Sequence, residues 1–128
     1  MKKIMIVDDN YLSAEGIEKN IDWETLNAEI IHVCYNGTSA IEAMKKEPAD
    51  LIISDIEMPD LDGISMSRQA LEINPMVKII LISAYDKFEY ARRALLLGAL
   101  DYIEKPLDYA YLIPVSYTHL RAHETSLH

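Results

Sequence analysis

The chain has 128 residues, a length that suits a single folded domain with one core. Half of the residues are hydrophobic and about a quarter are charged, which is typical of a globular protein and excludes a disordered or fibrous chain. Twelve basic residues against 21 acidic ones give a formal net charge of -9, so we expect no direct binding of nucleic acid.

Short apolar runs alternate with segments of helical spacing along the chain. Continuous rather than alternating apolarity is typical of strands that are covered on both faces, as in a parallel sheet. Beginning with a strand and alternating with helices, the predicted elements are Ile4–Val7, Leu12–Ile21, Ile30–Val33, Thr38–Lys46, Leu51–Ile53, Ile64–Ile73, Ile79–Ile82, Phe88–Leu97 and Tyr102–Ile103. Single helices between strands predict an α/β fold, a doubly wound five-stranded parallel sheet with helices on both faces.

Compartment and membrane association follow from two simple features of the sequence. No apolar run reaches the roughly 20 residues that span a bilayer, so neither membrane insertion nor secretion is expected. The single cysteine, Cys34, can form no internal disulfide, which fits a reducing compartment. The sequence therefore predicts a cytoplasmic protein without a membrane partner.

Aspartates follow two of the predicted strands. Asp8 and Asp9 come directly after the first strand, and Asp55 ends the third. Because the carboxyl ends of parallel strands meet at one edge, where such sheets bind ligands, we expect the three carboxylates to converge. Close carboxylates repel one another unless a cation neutralises them, and their oxygens suit Mg²⁺ or Mn²⁺. The sequence therefore predicts a divalent metal site.

Two further polar residues belong to the same predicted edge. Ser83 ends the fourth strand and Lys105 follows the fifth. A hydroxyl and an ammonium facing a carboxylate and metal site would supply hydrogen-bond donors and positive charge to a phosphoryl group. Each residue alone has an ordinary explanation, since an aspartate after a strand often caps a turn or helix and a lone lysine is usually solvated. Their combination at separate strand ends favours a phosphoryl site.

The motifs at these strand ends resemble those of response-regulator receiver domains. In chain order they are Ile6-Val7-Asp8-Asp9, Ile53-Ser54-Asp55-Ile56-Glu57-Met58-Pro59, Asp62-Gly63, Leu81-Ile82-Ser83-Ala84 and Lys105-Pro106. The resemblance covers residues 2–108 and implies a flavodoxin-like receiver fold. The stretches 21–23 and 83–91 are similar to those of receivers whose output is an AraC-type helix-turn-helix domain, which implies regulation of transcription.

The resemblance implies a role for each acidic residue of the site. Asp55 would accept a phosphoryl group from a sensor histidine kinase. Asp9 and Asp55 would ligate Mg²⁺ directly, and Asp8 would act mainly through a bound water. The backbone carbonyl of Glu57 would supply another metal ligand, which leaves its side chain to tune hydrolysis. The protein would then be a signalling phosphoacceptor that catalyses only its own phosphorylation and dephosphorylation, not an enzyme with an external substrate.

The same resemblance implies a conformational switch. Lys105 and Ser83 would contact the phosphoryl group, and Tyr102 would turn into the space that the Ser83 hydroxyl leaves. An ordinary core aromatic on a strand is the alternative interpretation of Tyr102.

The sequence departs from the family after Asp108, where a fifth amphipathic helix is expected. Residues 109–128 contain Pro114, which interrupts a helix, and three of the four histidines. We interpret this segment as a tail outside the family, from a truncation or a cloning or sequencing artefact, with the fifth helix missing or degraded; a natural tail is the alternative interpretation. The face of the fourth helix and fifth strand, through which such receivers commonly form homodimers, would then be incomplete.

Two other functions are compatible with parts of the pattern. A receiver-like module that binds partners without phosphorylation would have the same fold, although the complete set of site residues argues against it. A metal-dependent phosphohydrolase would use an acidic residue two positions after its nucleophile, the place of Glu57. Such an enzyme would also need a substrate pocket or cap, for which no residues remain.

Overall fold

The computed structural model of the chain describes residues 1–83, 92–93, 96, 98, 101–104 and 109, without the side chains of 101, 102 and 104. Within these residues, five parallel strands form one sheet. The elements are β1 (Lys2–Val7), α1 (Tyr11–Asn20), β2 (Ala28–Cys34), α2 (Gly37–Lys46), β3 (Leu51–Asp55), α3 (Gly63–Ile73), β4 (Lys78–Ser83) and β5 (Asp101–Glu104). The strand order is β2-β1-β3-β4-β5, and every pairing between neighbours is parallel.

The two faces of the sheet bury separate hydrophobic clusters. Met5 and Val7 of β1 pack on the face that α2 and α3 cover, while Ile4 and Ile6 pack with α1 on the other face. This alternation follows from the strand geometry, in which successive side chains point to opposite faces. The predicted α/β fold, with a parallel sheet and helices on both faces, is confirmed.

The helices α1, α2 and α3 each begin with a side-chain cap in the loop after a strand. Asn10 accepts a hydrogen bond from the amide of Ser13 at 3.1 Å, and Asn36 accepts one from Ser39 at 2.8 Å. Asp62 does the same for Ser65 at 2.8 Å. Such caps satisfy amides that have no partner within the helix, so they determine where each loop after a strand ends.

The sheet order creates a crevice beside the carboxyl ends of β1 and β3. The chain passes from β1 outward to β2 and then returns to the far side of β1, so the strand order reverses between β1 and β3. Val7 pairs with Ser54, and Asp55 pairs with Ile82 of β4. Open parallel sheets bind ligands at such a reversal, and here it lies next to Asp8 and Asp55.

Some sequence predictions fall on residues that the structure describes only in part. Of the predicted fourth helix Phe88–Leu97, the described residues Arg92, Arg93 and Leu96 are helical. The predicted loss of the fifth helix concerns residues 109–128, of which Tyr109 alone is described. That residue packs against the cluster on the α1 face.

The described part of the chain contains no helix with the length and apolar character needed to cross a membrane. Cys34, at the end of β2, is buried and forms no disulfide. Its burial raises the pKa of the thiol above the ordinary value.

Candidate functional site

Three carboxylates meet at the crevice. Asp8, Asp9 and Asp55 each offer one oxygen, and these oxygens all lie within 4.8 Å of one another. Asp8 and Asp55 are buried, with exposed fractions of 1% and 5%, whereas Asp9 is exposed. The convergence expected from the strand ends is therefore observed.

The donor set suits a hard divalent cation. All three ligand atoms are carboxylate oxygens, which Mg²⁺ and Mn²⁺ prefer, and the exposed side of Asp9 leaves room for the waters that Mg²⁺ retains. Negative charges at this separation repel one another, and two of them are largely removed from solvent. A bound cation would relieve that repulsion, so these residues fit a metal ion.

Backbone contacts determine where two of the carboxylates lie. The amide of Asn10 donates to an Asp8 carboxylate oxygen at 2.9 Å, and the Asp8 amide donates to the Cys34 carbonyl at 3.0 Å. Beyond Asp55, the amide of Ile56 donates to the Ile82 carbonyl at 2.9 Å, which extends the pairing with β4. The acidic side chains therefore project from backbone that the sheet holds in place.

Ser83 ends β4 at the same edge and is fully buried. Its hydroxyl donates a long hydrogen bond, 3.5 Å, to a carboxylate oxygen of Glu57, which is half-buried. The sequence interpretation assigned the backbone carbonyl of Glu57 to metal binding and its side chain to tuning hydrolysis, but it did not predict this contact with Ser83. The sequence signalled their closeness only through their positions, because Ser83 ends β4 and Glu57 lies two residues after the end of β3.

The remaining predicted site residues are described incompletely. Tyr102 belongs to β5 and pairs with Leu81 of β4, but its side chain lies outside the described part of the chain. Lys105 lies outside the described residues. Because Ser83 pairs with Glu104, the carboxyl end of β5 is at the same edge as Ser83.

A cavity of about 360 Å³ lies beside the residues that follow Asp55. It is lined by Ile56, Glu57, Met58, Pro59, Asp62 and Arg93. Arg93 comes from the predicted fourth helix and is half-buried. The sequence interpretation did not select Arg93, and a single arginine in a helical segment carries no signal of a site.

Comparison with known proteins places the chain in a family. The sequence model of the response regulator receiver domain matches residues 4–115. YesN of Bacillus subtilis (strain 168), an uncharacterized transcriptional regulatory protein, is 32% identical over 113 residues. The transcriptional regulatory protein HptR of Staphylococcus aureus (strain NCTC 8325) is 30% identical over 112 residues. Each alignment covers 88% of this chain but only 31% of YesN and 44% of HptR, so the chain spans less than half of these relatives.

Two solved structures are similar over nearly their whole length. The receiver domain of AraT from Geobacillus stearothermophilus has a TM-score of 0.87 and 31% identity, covering 96% of this chain and 98% of that one. A two-component transcriptional regulator AraC from Clostridium phytofermentans ISDg has a TM-score of 0.89 and 30% identity, covering 98% and 97%. The predicted flavodoxin-like receiver fold and the resemblance to receivers of AraC-type regulators are confirmed. The chain belongs to the response regulator receiver domain family.

Proposed function

We propose that this receiver accepts a phosphoryl group from a sensor histidine kinase on Asp55 and changes conformation to regulate transcription. The observation that carries the proposal is the cluster of Asp8, Asp9 and Asp55, whose oxygens lie within 4.8 Å of one another. A nucleophile within a cluster of this kind can be neutralised by a cation while it remains open to a phosphodonor from the side of Asp9. The similarity to transcriptional regulators supports the nature of the output.

The proposed reaction transfers the phosphoryl group from a nitrogen of the kinase imidazole to a carboxylate oxygen of Asp55. A carboxylate oxygen of Asp55 forms a bond to phosphorus while the bond from phosphorus to the kinase imidazole breaks, and a proton returns to that imidazole. Attack by water on the acyl phosphate later restores the carboxylate and releases inorganic phosphate. Asp9, Asp55 and the Glu57 carbonyl would hold a metal ion, with Asp8 acting through water, and this ion would supply positive charge to the phosphoryl oxygens.

The protein's own donors would stabilise the product. The Ser83 hydroxyl, which donates to Glu57 at 3.5 Å, would exchange this long bond for a shorter one to a phosphoryl oxygen. Lys105 would contribute an ammonium to the same group, and Tyr102 would turn inward as Ser83 moves. This exchange would convert a covalent event at Asp55 into a change at β4 and β5.

The same proposal covers the extent of the receiver unit, its compartment and its partners. The receiver unit would comprise residues 2–108, with a tail at 109–128, and would act in the cytoplasm. Its partners would be the kinase and a second copy bound through the fourth-helix and fifth-strand face, with no direct contact to nucleic acid by this segment. Relatives that are two to three times longer are transcriptional regulators, which supports an output domain in a parent protein.

Incubation with acetyl phosphate and Mg²⁺, followed by intact-mass measurement, tests the phosphoacceptor role. We expect the wild-type chain to gain one phosphoryl group, which hydroxylamine removes, and the Asp55→Asn variant to gain none. Asp22→Asn is a matched control, because Asp22 is an exposed aspartate outside the cluster, and it should be labelled like wild type. Equal labelling of Asp55→Asn, or none of wild type, would refute the proposal.

A further inference from the structure

An aspartate in the loop between β3 and α3 caps a helix in another part of the chain. Asp60 accepts hydrogen bonds from the amides of Gly37 and Thr38, at 3.3 and 3.2 Å, and from the Thr38 hydroxyl at 2.6 Å. Gly37 and Thr38 begin α2, whose next amide, that of Ser39, is capped locally by Asn36. A carboxylate from 22 residues away thus satisfies two of the amides that the helix leaves open.

The packing beside Asp60 joins the same two elements. Leu61 lies directly against Gly37, where an added Cβ atom would come within 2.5 Å of the Leu61 carbonyl oxygen and 2.8 Å of its Cβ. The Leu61 side chain also packs against the hydrophobic cluster that α2 and α3 share. Close backbone approach at Gly37 and three hydrogen bonds to Asp60 therefore hold the loop on the N-terminus of α2.

The loop held in this way, residues 56–62, begins next to Asp55. At the start of the loop, the Ile56 amide donates a hydrogen bond to the Ile82 carbonyl. At its end, the Gly63 amide donates one to the Ile56 carbonyl at 2.8 Å. Between these ends the loop carries Glu57, whose carbonyl is a metal ligand in the proposed function. Hydrogen bonds at Asp60, three residues further along, restrict the path of the chain between the two ends.

We propose that Asp60 is a positioning residue for the metal site, because its bonds to α2 fix the loop that presents the Glu57 carbonyl to the aspartate cluster. The inference rests on the proposed function, since it assumes that the cluster binds Mg²⁺. Asp60 itself is exposed and acts through the loop. Its effect is on how tightly the metal ion binds before any phosphoryl group arrives.

Two features support an ionised, well-held carboxylate at this position. The hydrogen bond from the Thr38 hydroxyl, helped by the amides of Thr38, Leu61 and Gly37 and opposed by partial desolvation, lowers the pKa of Asp60 from its usual 3.8 to about 2. The positive end of the α2 dipole favours the same charge. Asp60 therefore remains a full acceptor of all three bonds at neutral pH.

Calorimetric titration of the unphosphorylated chain with Mg²⁺ tests the inference directly. We expect Asp60→Ala to raise the Kd for Mg²⁺ about three- to tenfold. Losing a group that orients a metal ligand directly typically weakens metal binding by about ten- to a hundredfold, and Asp60 acts less directly, through the loop. Asp22→Ala is the matched control, because Asp22 is also an exposed aspartate that caps a turn, accepting from the Thr25 amide at 3.3 Å. This control should leave the Kd unchanged.

Variants at Thr38 separate the position of the loop from the charge of Asp60. Thr38→Val removes the 2.6 Å bond but leaves the Asp60 charge, and we expect a rise of about two- to fivefold in the Kd, part of the value of one hydrogen bond. Thr38→Ser keeps the hydroxyl and should restore wild-type binding. These milder variants also serve if Asp60→Ala fails to fold, which urea unfolding without metal would reveal.

The outcomes distinguish the inference from the function on which it rests. If wild type binds Mg²⁺ and is phosphorylated while Asp60→Ala has the same Kd, the positioning role is wrong and the proposed function stands. If Asp60→Ala weakens binding but Thr38→Val does not, the effect is one of charge and the positioning role is again wrong. If wild type neither binds Mg²⁺ nor accepts phosphate, the proposed function itself fails.

Discussion

Gly63 packs directly against the backbone of Asp55, with no room for a side chain between them. A Cβ atom built on Gly63 would overlap the Asp55 carbonyl oxygen and come within 2.9 Å of the Ile56 Cα atom. The Gly63 amide also donates to the Ile56 carbonyl at 2.8 Å. The first residue of α3 is thus in contact with the end of β3. A larger residue at position 63 would therefore move the backbone that carries Asp55.

We expect Gly63→Ala to lower the free energy of unfolding by about 1–3 kcal/mol, because the atoms it would meet belong to the backbone and cannot rotate away. Urea unfolding followed by circular dichroism measures this change. Gly98→Ala is the comparison, because no atom of the described residues lies within 4 Å of a Cβ built on Gly98, whose φ is 91°. Its cost of about 1 kcal/mol should come from the backbone conformation alone. Wild-type stability of Gly63→Ala would contradict the close approach.

Mg²⁺ should stabilise the folded chain through the aspartate cluster. At a free concentration ten times its Kd, a ligand that binds only the folded state adds about 1.4 kcal/mol to the free energy of unfolding. We expect this increment in wild type and a much smaller one in Asp55→Asn, which lacks one of the three carboxylates. Without metal, Asp55→Asn should be at least as stable as wild type, since the substitution relieves repulsion.

Urea unfolding with and without Mg²⁺ gives both comparisons for the Asp55 variant, and chelator provides the reference state. Asp22→Asn again controls for the loss of one negative charge elsewhere on the surface. An equal response of wild type and Asp55→Asn to Mg²⁺ would show that the ion acts somewhere other than the cluster.

Asp60 should make part of the free energy of unfolding dependent on pH. Its pKa is about 2 in the folded chain and has the ordinary value of 3.8 when unfolded, so the folded state holds the ionised form more strongly. This stability is fully present above the unfolded pKa and is lost as the pH falls from about 4 towards about 2. The difference in unfolding midpoint between wild type and Asp60→Asn should therefore shrink through this interval. A difference that stays constant from about pH 6 to about pH 3 would contradict the assignment.

Much of the fold was predictable because β3 and β4 are covered on both faces. Leu51–Asp55 is buried at every position, so its apolar run indicated a strand without ambiguity. The edge strand was harder to delimit. Ala28–Cys34 is longer than the predicted Ile30–Val33, because the exposed Glu29 interrupts the apolar pattern while its backbone still pairs with Lys3. The apolar pattern of a sequence therefore indicates which side chains are buried, not which residues pair in the sheet.

The candidate site was predictable only where it depends on topology. The meeting of Asp8 and Asp55 follows from the shared edge of parallel strands, whatever the side chains around them. The bond between Thr38 and Asp60 depends on the distance between a loop and a helix that packing alone determines. No periodicity in the sequence reports that distance, and the same is true of the contact between Ser83 and Glu57.

Trp23 has a structural role that substitution should reveal. Its ring is 6% exposed within the cluster on the α1 face, and its indole N–H donates to the Ile17 carbonyl at 3.3 Å. Trp23→Ala should cost about 3–5 kcal/mol of unfolding free energy. Trp23→Phe, which keeps an aromatic ring but loses the hydrogen bond, should cost about 1 kcal/mol or somewhat more.

Circular dichroism is the suitable probe for these variants, because Trp23 is the only tryptophan. Leu12→Ala is the control, since Leu12 is an apolar side chain that is 77% exposed and should change the stability by less than about 0.5 kcal/mol. A Trp23→Ala variant as stable as Leu12→Ala would contradict the core role of Trp23.

The C-terminal boundary of the folded unit can be located by shortening the chain. Tyr109 packs against the cluster on the α1 face, and its hydroxyl lies where a side chain on Gly16 would otherwise project. The resemblance found in the sequence ends at residue 108, whereas the match to the family model extends to residue 115. A chain that ends at residue 108 keeps every motif but loses this ring.

We expect a chain that ends at residue 115 to unfold at the same urea concentration as the full chain. One that ends at residue 108 should be less stable by about 1 kcal/mol or more, since burying part of an aromatic ring contributes roughly this amount. Tyr109→Ala in the full chain separates the loss of the ring from the loss of the residues after it, and it should reproduce most of the effect. Equal stability of all four chains would place the boundary at residue 108 and leave the packing of Tyr109 without an energetic role.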